Sequence, residues 1–218
     1  MDKIISLLLP AFNQTIYMVV FSVIFSLIIG VPIGILLYIT KPKNILPMKN
    51  LNKILDFIIN IGRSFPFIIL MILVLPISRF IVGTTIGSTA SIIPLSISAA
   101  PFVARIIEGA LNEVDDGIIE AAISLGASKL EIVTKVLIPE ALPSLIHGIT
   151  LTIINLIGYS AMAGAIGGGG LGDVAIRYGY QRFQVDIMII SVISIITLVQ
   201  IVQFTGNTIV NNIASKRK

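Results

Sequence analysis

The sequence predicts an all-α integral membrane protein with five transmembrane helices, and three observations carry that prediction. The chain of 218 residues is 56% hydrophobic and only 12% charged, against about 25% charged in an ordinary soluble domain. Its mean hydropathy is +1.02, more apolar surface than one small water-soluble core can bury. Five stretches, residues 15–39, 54–82, 86–111, 145–166 and 185–210, reach the roughly 20 residues a helix needs to cross hydrocarbon.

Residues 1–14 form an external N-terminal segment. The run Ile4–Pro10 is too short to span and is expected to lie at the interface. A cleaved signal peptide is not expected. The apolar run is too long, and Tyr38-Ile39-Thr40-Lys41-Pro42 lacks a small-residue cleavage site. The first span carries Gly30-Val31-Pro32-Ile33-Gly34, a small-xxx-small pattern that predicts close helix packing with a bend. The second begins with Asp56 and Arg63 in its first turns and sets Asn60, Arg63, Phe67 and Met71 on one face. In the third, Ser91, Pro94, Ser98, Pro101, Arg105 and Glu108 share an arc, and Arg105 and Glu108 are spaced to pair. The fourth aligns Thr152, Asn155, Tyr159 and Met162, and the fifth aligns Gln200, Gln203, Asn207 and Asn211.

Polar residues are costly in lipid and face a bundle interior or a water cavity. These faces read either as glue between helices or as the wall of a solute path. For the path, the candidates are Phe67, Ser98, Asn155, Tyr159 and Met162.

Charge sets the orientation. Lys41, Lys43, Lys49 and Lys53 follow the first span, Lys129 and Lys135 the third, and Lys216, Arg217 and Lys218 end a basic tail of residues 211–218. With five spans these segments share one side, which the Lys/Arg bias makes cytoplasmic. The N-terminus is then outside and the C-terminus inside. The same scatter of cations along loops, with no basic stripe, excludes nucleic acid as a partner. Without Cys, and with His147 as its one histidine, the chain has little material for thiolate metal sites or His-based catalysis.

Between the third and fourth spans, residues 112–144 form a cytoplasmic loop holding Glu113, Asp115, Asp116, Glu120 and Glu131. Asp115 or Asp116 is placed to cap a helix beginning near Gly117. Ile119, Ala122, Ile123 and Gly126 recur at helical spacing as a short apolar face. Gly126 permits a bend or a close approach, and Pro139 and Pro143 interrupt a continuing helix. By periodicity alone this is equally an amphipathic helix lying on the membrane surface.

Within it, Glu120-Ala121-Ala122-Ile123-Ser124-Leu125-Gly126 followed by Val136-Leu137-Ile138-Pro139 resembles the EAA loop of ABC-transporter permeases. Arg63-Ser64-Phe65-Pro66-Phe67, Pro101-Phe102-Val103-Ala104-Arg105, and Gly158-Tyr159-Ser160-Ala161-Met162-Ala163-Gly164 running into four glycines narrow the resemblance to the methionine-importer permeases, over nearly the whole chain. The resemblance implies a type I ABC importer permease fold over residues 15–210, in a bacterial cytoplasmic membrane. It implies a homodimer of the permease, two ABC ATPase subunits, an external methionine-binding (lipo)protein, and alternating access driven by ATP. By the same resemblance, Glu120, Ala121, Ala122, Gly126 and Pro139 belong to the coupling loop that seats in the ATPase.

No G-x-x-x-x-G-K-[ST] occurs, and Gly167-Gly168-Gly169-Gly170-Leu171-Gly172 lacks the lysine. The glycine run therefore reads as a flexible, closely packed external loop. The chain itself is expected to hold no cofactor, with ATP and Mg on the partner ATPase, and to be no enzyme. Two rivals remain open: a permease of this type for another solute (an osmoprotectant, a phosphonate, another amino acid), and a stand-alone secondary transporter or channel. Five spans without an internal repeat count against the latter, and the absence of clustered His, Asp or Cys counts against a membrane-embedded enzyme.

Overall fold

Uninterrupted apolar residues with few glycines or prolines favour long helices, and in lipid the backbone must satisfy its own hydrogen bonds. The computed structural model, which describes residues 2–42 and 44–215 with side chains from residue 4 onward, contains no strand among the described residues. In chain order the elements are α1 (Asp2–Ile39), α2 (Lys49–Ser64), α3 (Phe67–Val82), α4 (Ser88–Asn112), α5 (Asp116–Ser124) and α6 (Lys129–Glu131). After a π-helical turn over Ile132–Leu137 come α7 (Ile138–Glu140), α8 (Leu142–Ala165) and α9 (Gly170–Val174). A second π turn, Ala175–Tyr180, precedes α10 (Val185–Ser215). Lys43, Lys216, Arg217 and Lys218, among the cations that set the expected orientation, lie outside the described residues.

Four helices, α1, α4, α8 and α10, are long and apolar enough to cross a membrane, and there are five spans if α2 and α3 count as one broken span. The second span is therefore not one continuous helix over 54–82. It breaks at Phe65–Pro66, where proline supplies no N–H and pushes the residue before it out of the helical region. α1 differs in the opposite sense, running unbroken from Asp2 through Pro10. Packing overrides the proline there: Leu7, Leu8, Ala11 and Phe12 close on Leu171 and Val174.

The chain divides into two compact units. The first comprises Met1–Ser26, Phe65–Ala99 and Thr152–Phe204; its core is Met18, Val19, Leu95, Leu156 and Ile157, with Phe67 and Tyr159 packed against them. The second comprises Leu27–Ser64, Ala100–Leu151 and Thr205–Lys218, and its core joins Val103, Ile107 and Leu111 of α4 to Ile132, Val133 and Leu137 of the loop. Here the glycine pair of α1 packs as expected. A Cβ on Gly34 would lie 2.5 Å from the Ala104 carbonyl oxygen, and one on Gly30 would lie 2.6 Å from Val103.

Candidate functional site

Local chemistry fixes both ends of α5. Asp115 Oδ1 accepts the Gly117 N–H at 2.7 Å, satisfying one of the free amides of the first turn. At the other end the Gly126 N–H donates to the Ile123 carbonyl at 2.9 Å and the Ala127 N–H to the Ala122 carbonyl at 3.1 Å, the paired bonds of a left-handed helix stop. Gly126 has φ +81° with no atom within 4 Å of a would-be Cβ. The bend requires the glycine; a close approach within the chain does not.

Two residues on, Ser128 and Glu131 form a reciprocal capping box over α6. The Lys135 ammonium at 2.8 Å, then the Ser128 N–H and hydroxyl, hold the Glu131 carboxyl down from about 4.5 to about 2. A depressed carboxylate stabilises the fold fully above its unfolded value and ceases to do so as pH falls through the folded one. The cap is thus expected to hold above about pH 4.5 and to loosen progressively toward pH 2. Hydrogen exchange at residues 128–137, corrected for intrinsic rate, checks this; protection that stays constant down to pH 2 refutes it.

The faces of α5 divide differently from the sequence reading. Ile119 and Ala122 pack on the core of their own unit, whereas Ile123 and Gly126 are exposed. Ile118 and Leu125, with Ala121 between them, form an exposed apolar arc, Leu125 being 88% exposed. Glu120 is exposed beside this arc. Pro139 is exposed in α7, which continues directly from the π turn; the helix runs through this proline instead of stopping at it, and the ring withholds one N–H from the preceding turn.

Behind the loop an ion network ties α4 to α2 and to the segment after α1. Arg105 pairs with Glu108 as its spacing predicts, at 2.6 Å, but also with Asp56 at 2.7 Å and Asn60 at 2.9 Å. The other oxygen of Glu108 holds Lys41 at 2.7 Å, and Lys41 also reaches Asn112 at 3.0 Å. Asp56, Asn60 and Lys41 were not predicted as partners.

Of the path candidates, the structure brings Phe67 and Tyr159 together, their rings stacked at 4.4 Å and 4°. Asn155 and Met162, four residues before and three after Tyr159, are exposed, Met162 by 45%. Ser98 donates to the Leu95 carbonyl of its own helix at 2.9 Å, so its hydroxyl is already used. Met71 and Thr152, from the same polar faces, are buried.

The glycine run is packed as expected. A Cβ on Gly172 would strike the Ala161 carbonyl oxygen, and one on Gly164 the Asp173 amide nitrogen. The Gly170 N–H is taken by Gln14 Oε1 and the Leu171 N–H by Thr15 Oγ1, both at 2.9 Å, which leaves those two amides unavailable to a phosphate.

Residues 30–214 match the family described as binding-protein-dependent transport system inner membrane component. A probable D-methionine transport system permease protein MetI from Vibrio cholerae is 50% identical over 208 residues, 95% of this chain and 92% of its own. The methionine import system permease protein MetP of Bacillus subtilis is 48% identical over 95% of this chain and 93% of its own. In structure, a chain of the MetNI methionine ABC transporter in an inward-facing conformation superposes with TM-score 0.96 at 44% identity, covering 98% of this chain and 99% of that one. The chain belongs to the family of binding-protein-dependent transport system inner membrane components, and within it to the methionine ABC transporter permeases.

Proposed function

We infer that this chain is the permease subunit of an ATP-driven importer that carries methionine across a bacterial cytoplasmic membrane by alternating access. The observation that carries the reading is likeness across the whole chain: 50% identity over 95% of its length to a D-methionine permease, with a fold at TM-score 0.96 to the MetNI permease. The α5 region supports it, since a short helix capped at both ends presents an exposed apolar arc for a partner. Two copies of the chain, two ATPases that bind the ATP and Mg, and an external methionine-binding protein complete the proposed assembly.

In this reading the chain makes five passes, with α2 and α3 together as one broken pass, the N-terminus outside and the α5 loop and C-terminus in the cytoplasm. Glu120, Ala121, Leu125 and Gly126 meet the ATPase, while Ala122 holds α5 to its own unit. The stacked Phe67 and Tyr159, flanked by Asn155 and Met162, wall the path, where a polarizable thioether makes soft contacts with aromatic rings. Such a path should bind substrate weakly, because a ligand shifts the inward–outward equilibrium only through unequal affinity for the two states.

The test is uptake into vesicles holding this chain with its neighbouring ATPase and external binding protein. Labelled L- and D-methionine are followed with unlabelled amino acids and betaines as competitors. ATP-dependent methionine uptake that competitors leave intact is the expected result. Uptake of another solute alone would discard methionine and keep the permease; uptake without the ATPase would discard the ABC mechanism.

A further inference from the structure

The short loop between the second π turn and α10 holds an arginine that the transport reading does not use. Arg182 lies over the Tyr178 ring, its guanidinium carbon 4.6 Å from the centroid. Among the described side chains, those from residue 4 onward, no carboxylate lies within ion-pair distance of it. Arg177, a little earlier in the chain, is paired with Asp173 at 2.8 Å. The loop that carries Arg182 is built, not slack. The Gln181 N–H donates to the Ile176 carbonyl at 2.9 Å and the Gln184 N–H to the Tyr178 carbonyl at 3.2 Å. Phe183, at φ 57°, is the one non-glycine residue with positive φ among the described residues, a conformation that persists only where the surroundings impose it. Gly179 is pressed against Met188 so closely that a Cβ would lie 2.5 Å from the Met188 Cβ.

Beside Arg182 the loop closes a pocket of about 350 Å³ with two chemically distinct ends. Arg182 and the Gln184 side-chain amide supply donors, while Ile4, Leu7 and Ile187 supply hydrocarbon. The hydrocarbon end adjoins Ile5, Leu9, Val185 and Ile189 on α1 and α10, which are 55%, 60%, 61% and 51% exposed, side chains that a bilayer would cover. An anionic head joined to alkyl chains matches both ends at once. A free anion would leave the apolar end unused, and an acidic protein loop would have to bury polar backbone against it.

We propose that this pocket binds the phosphate of an anionic membrane phospholipid, with the Arg182 fork on the phosphate oxygens and Ile4, Leu7 and Ile187 against the first acyl carbons. Guanidinium is suited to the phosphate head because its planar donors bond two oxygens together. The stack on Tyr178 orients that plane before the lipid arrives. A net-negative head is preferred over a zwitterionic one because a choline or ethanolamine cation would sit near an arginine that no described carboxylate neutralises.

The permease–ATPase complex, reconstituted in mixed phosphatidylglycerol and phosphatidylcholine and released into detergent, is analysed by native mass spectrometry for retained lipid. Retention of phosphatidylglycerol over phosphatidylcholine is expected, reduced at least about fivefold by Arg182→Gln and left unchanged by Arg177→Gln. Excess inorganic phosphate should not displace the lipid. Equal retention of the two lipids by the unaltered complex would overturn the proposal whether or not the variant folds, as would unchanged retention in Arg182→Gln. Release by inorganic phosphate would make the site one for a free anion and refute the lipid. If Arg182→Gln keeps its lipid but loses stimulation by the external binding protein, the loop is a protein-docking face and the lipid assignment falls.

Discussion

Glu108→Gln is expected to destabilise the chain more than the neutralisation of any other member of the ion network. Glu108 is the central anion: one oxygen holds Lys41 at 2.7 Å and the other Arg105 at 2.6 Å, with its side chain only 7% exposed. Without its charge, two cations face each other beside a buried amide. Breaking a fully buried pair costs about 3–5 kcal/mol. Lys41 and Arg105 remain 31% and 27% exposed, so the expected loss is lower, about 2–3 kcal/mol after allowance for solvent screening. At about 2–4 °C per kcal/mol for a chain of this size, thermal unfolding should begin roughly 5–10 °C lower.

Asp56 ends the chain of charges with its side chain 45% exposed, and Asp56→Asn should lose less than about 1 kcal/mol. Because the charges act together, Lys41→Met added to Glu108→Gln should restore part of the loss by removing one stranded cation. Simple addition of the two single effects would mean that the four residues are not one network.

What the sequence made legible was local chemistry. Asp115 and Gly126 announce the ends of α5 because a cap and a left-handed stop are decided within a few residues. Long apolar runs likewise announce α1, α4, α8 and α10, since lipid tolerates little else. The small-residue pair Gly30 and Gly34 foretold a close helix contact, and the structure supplies α4 as the partner.

The illegible parts depend on residues far apart in the chain. Lys41 and Asp56 join Arg105 and Glu108 across separations of 67 and 49 positions, which no spacing rule reaches. Gln14 and Thr15 claim the Gly170 and Leu171 amides across 156 positions. The Phe65–Pro66 break was hidden because apolar residues continue on both sides of it, so hydropathy alone reads one span. α5 shows a subtler limit. Ile119 and Ala122 on one side, and Ile118 and Leu125 on the other, are equally apolar. Periodicity therefore finds both stripes without telling which packs at home and which stays exposed.

That division of α5 gives the second large effect. Leu125→Asp is expected to abolish ATP-driven uptake while leaving the permease folded, because an 88% exposed leucine contributes almost nothing to the core of its own chain. Burial of one leucine in a partner's groove is worth about 1.5–3 kcal/mol, and each 1.4 kcal/mol is about tenfold in affinity. Loss of that contact, with a carboxylate driven into the groove in its place, should weaken ATPase association by at least about tenfold. Ala122→Asp should behave differently. Its Cβ lies against the core of its own unit, so the charge should loosen the loop itself and lower the unfolding temperature before any partner is considered. Gly126→Ala should fall between these, with no clash but a left-handed strain of about 1–2 kcal/mol. Co-purification of the ATPase with each variant, beside thermal unfolding of the permease alone, separates the three. If Leu125→Asp retains the ATPase at the unaltered ratio, the exposed arc of Ile118, Ala121 and Leu125 is not the docking face. If Ala122→Asp loses the ATPase with no change in unfolding temperature, Ala122 meets the partner directly and the division of faces proposed for α5 is wrong.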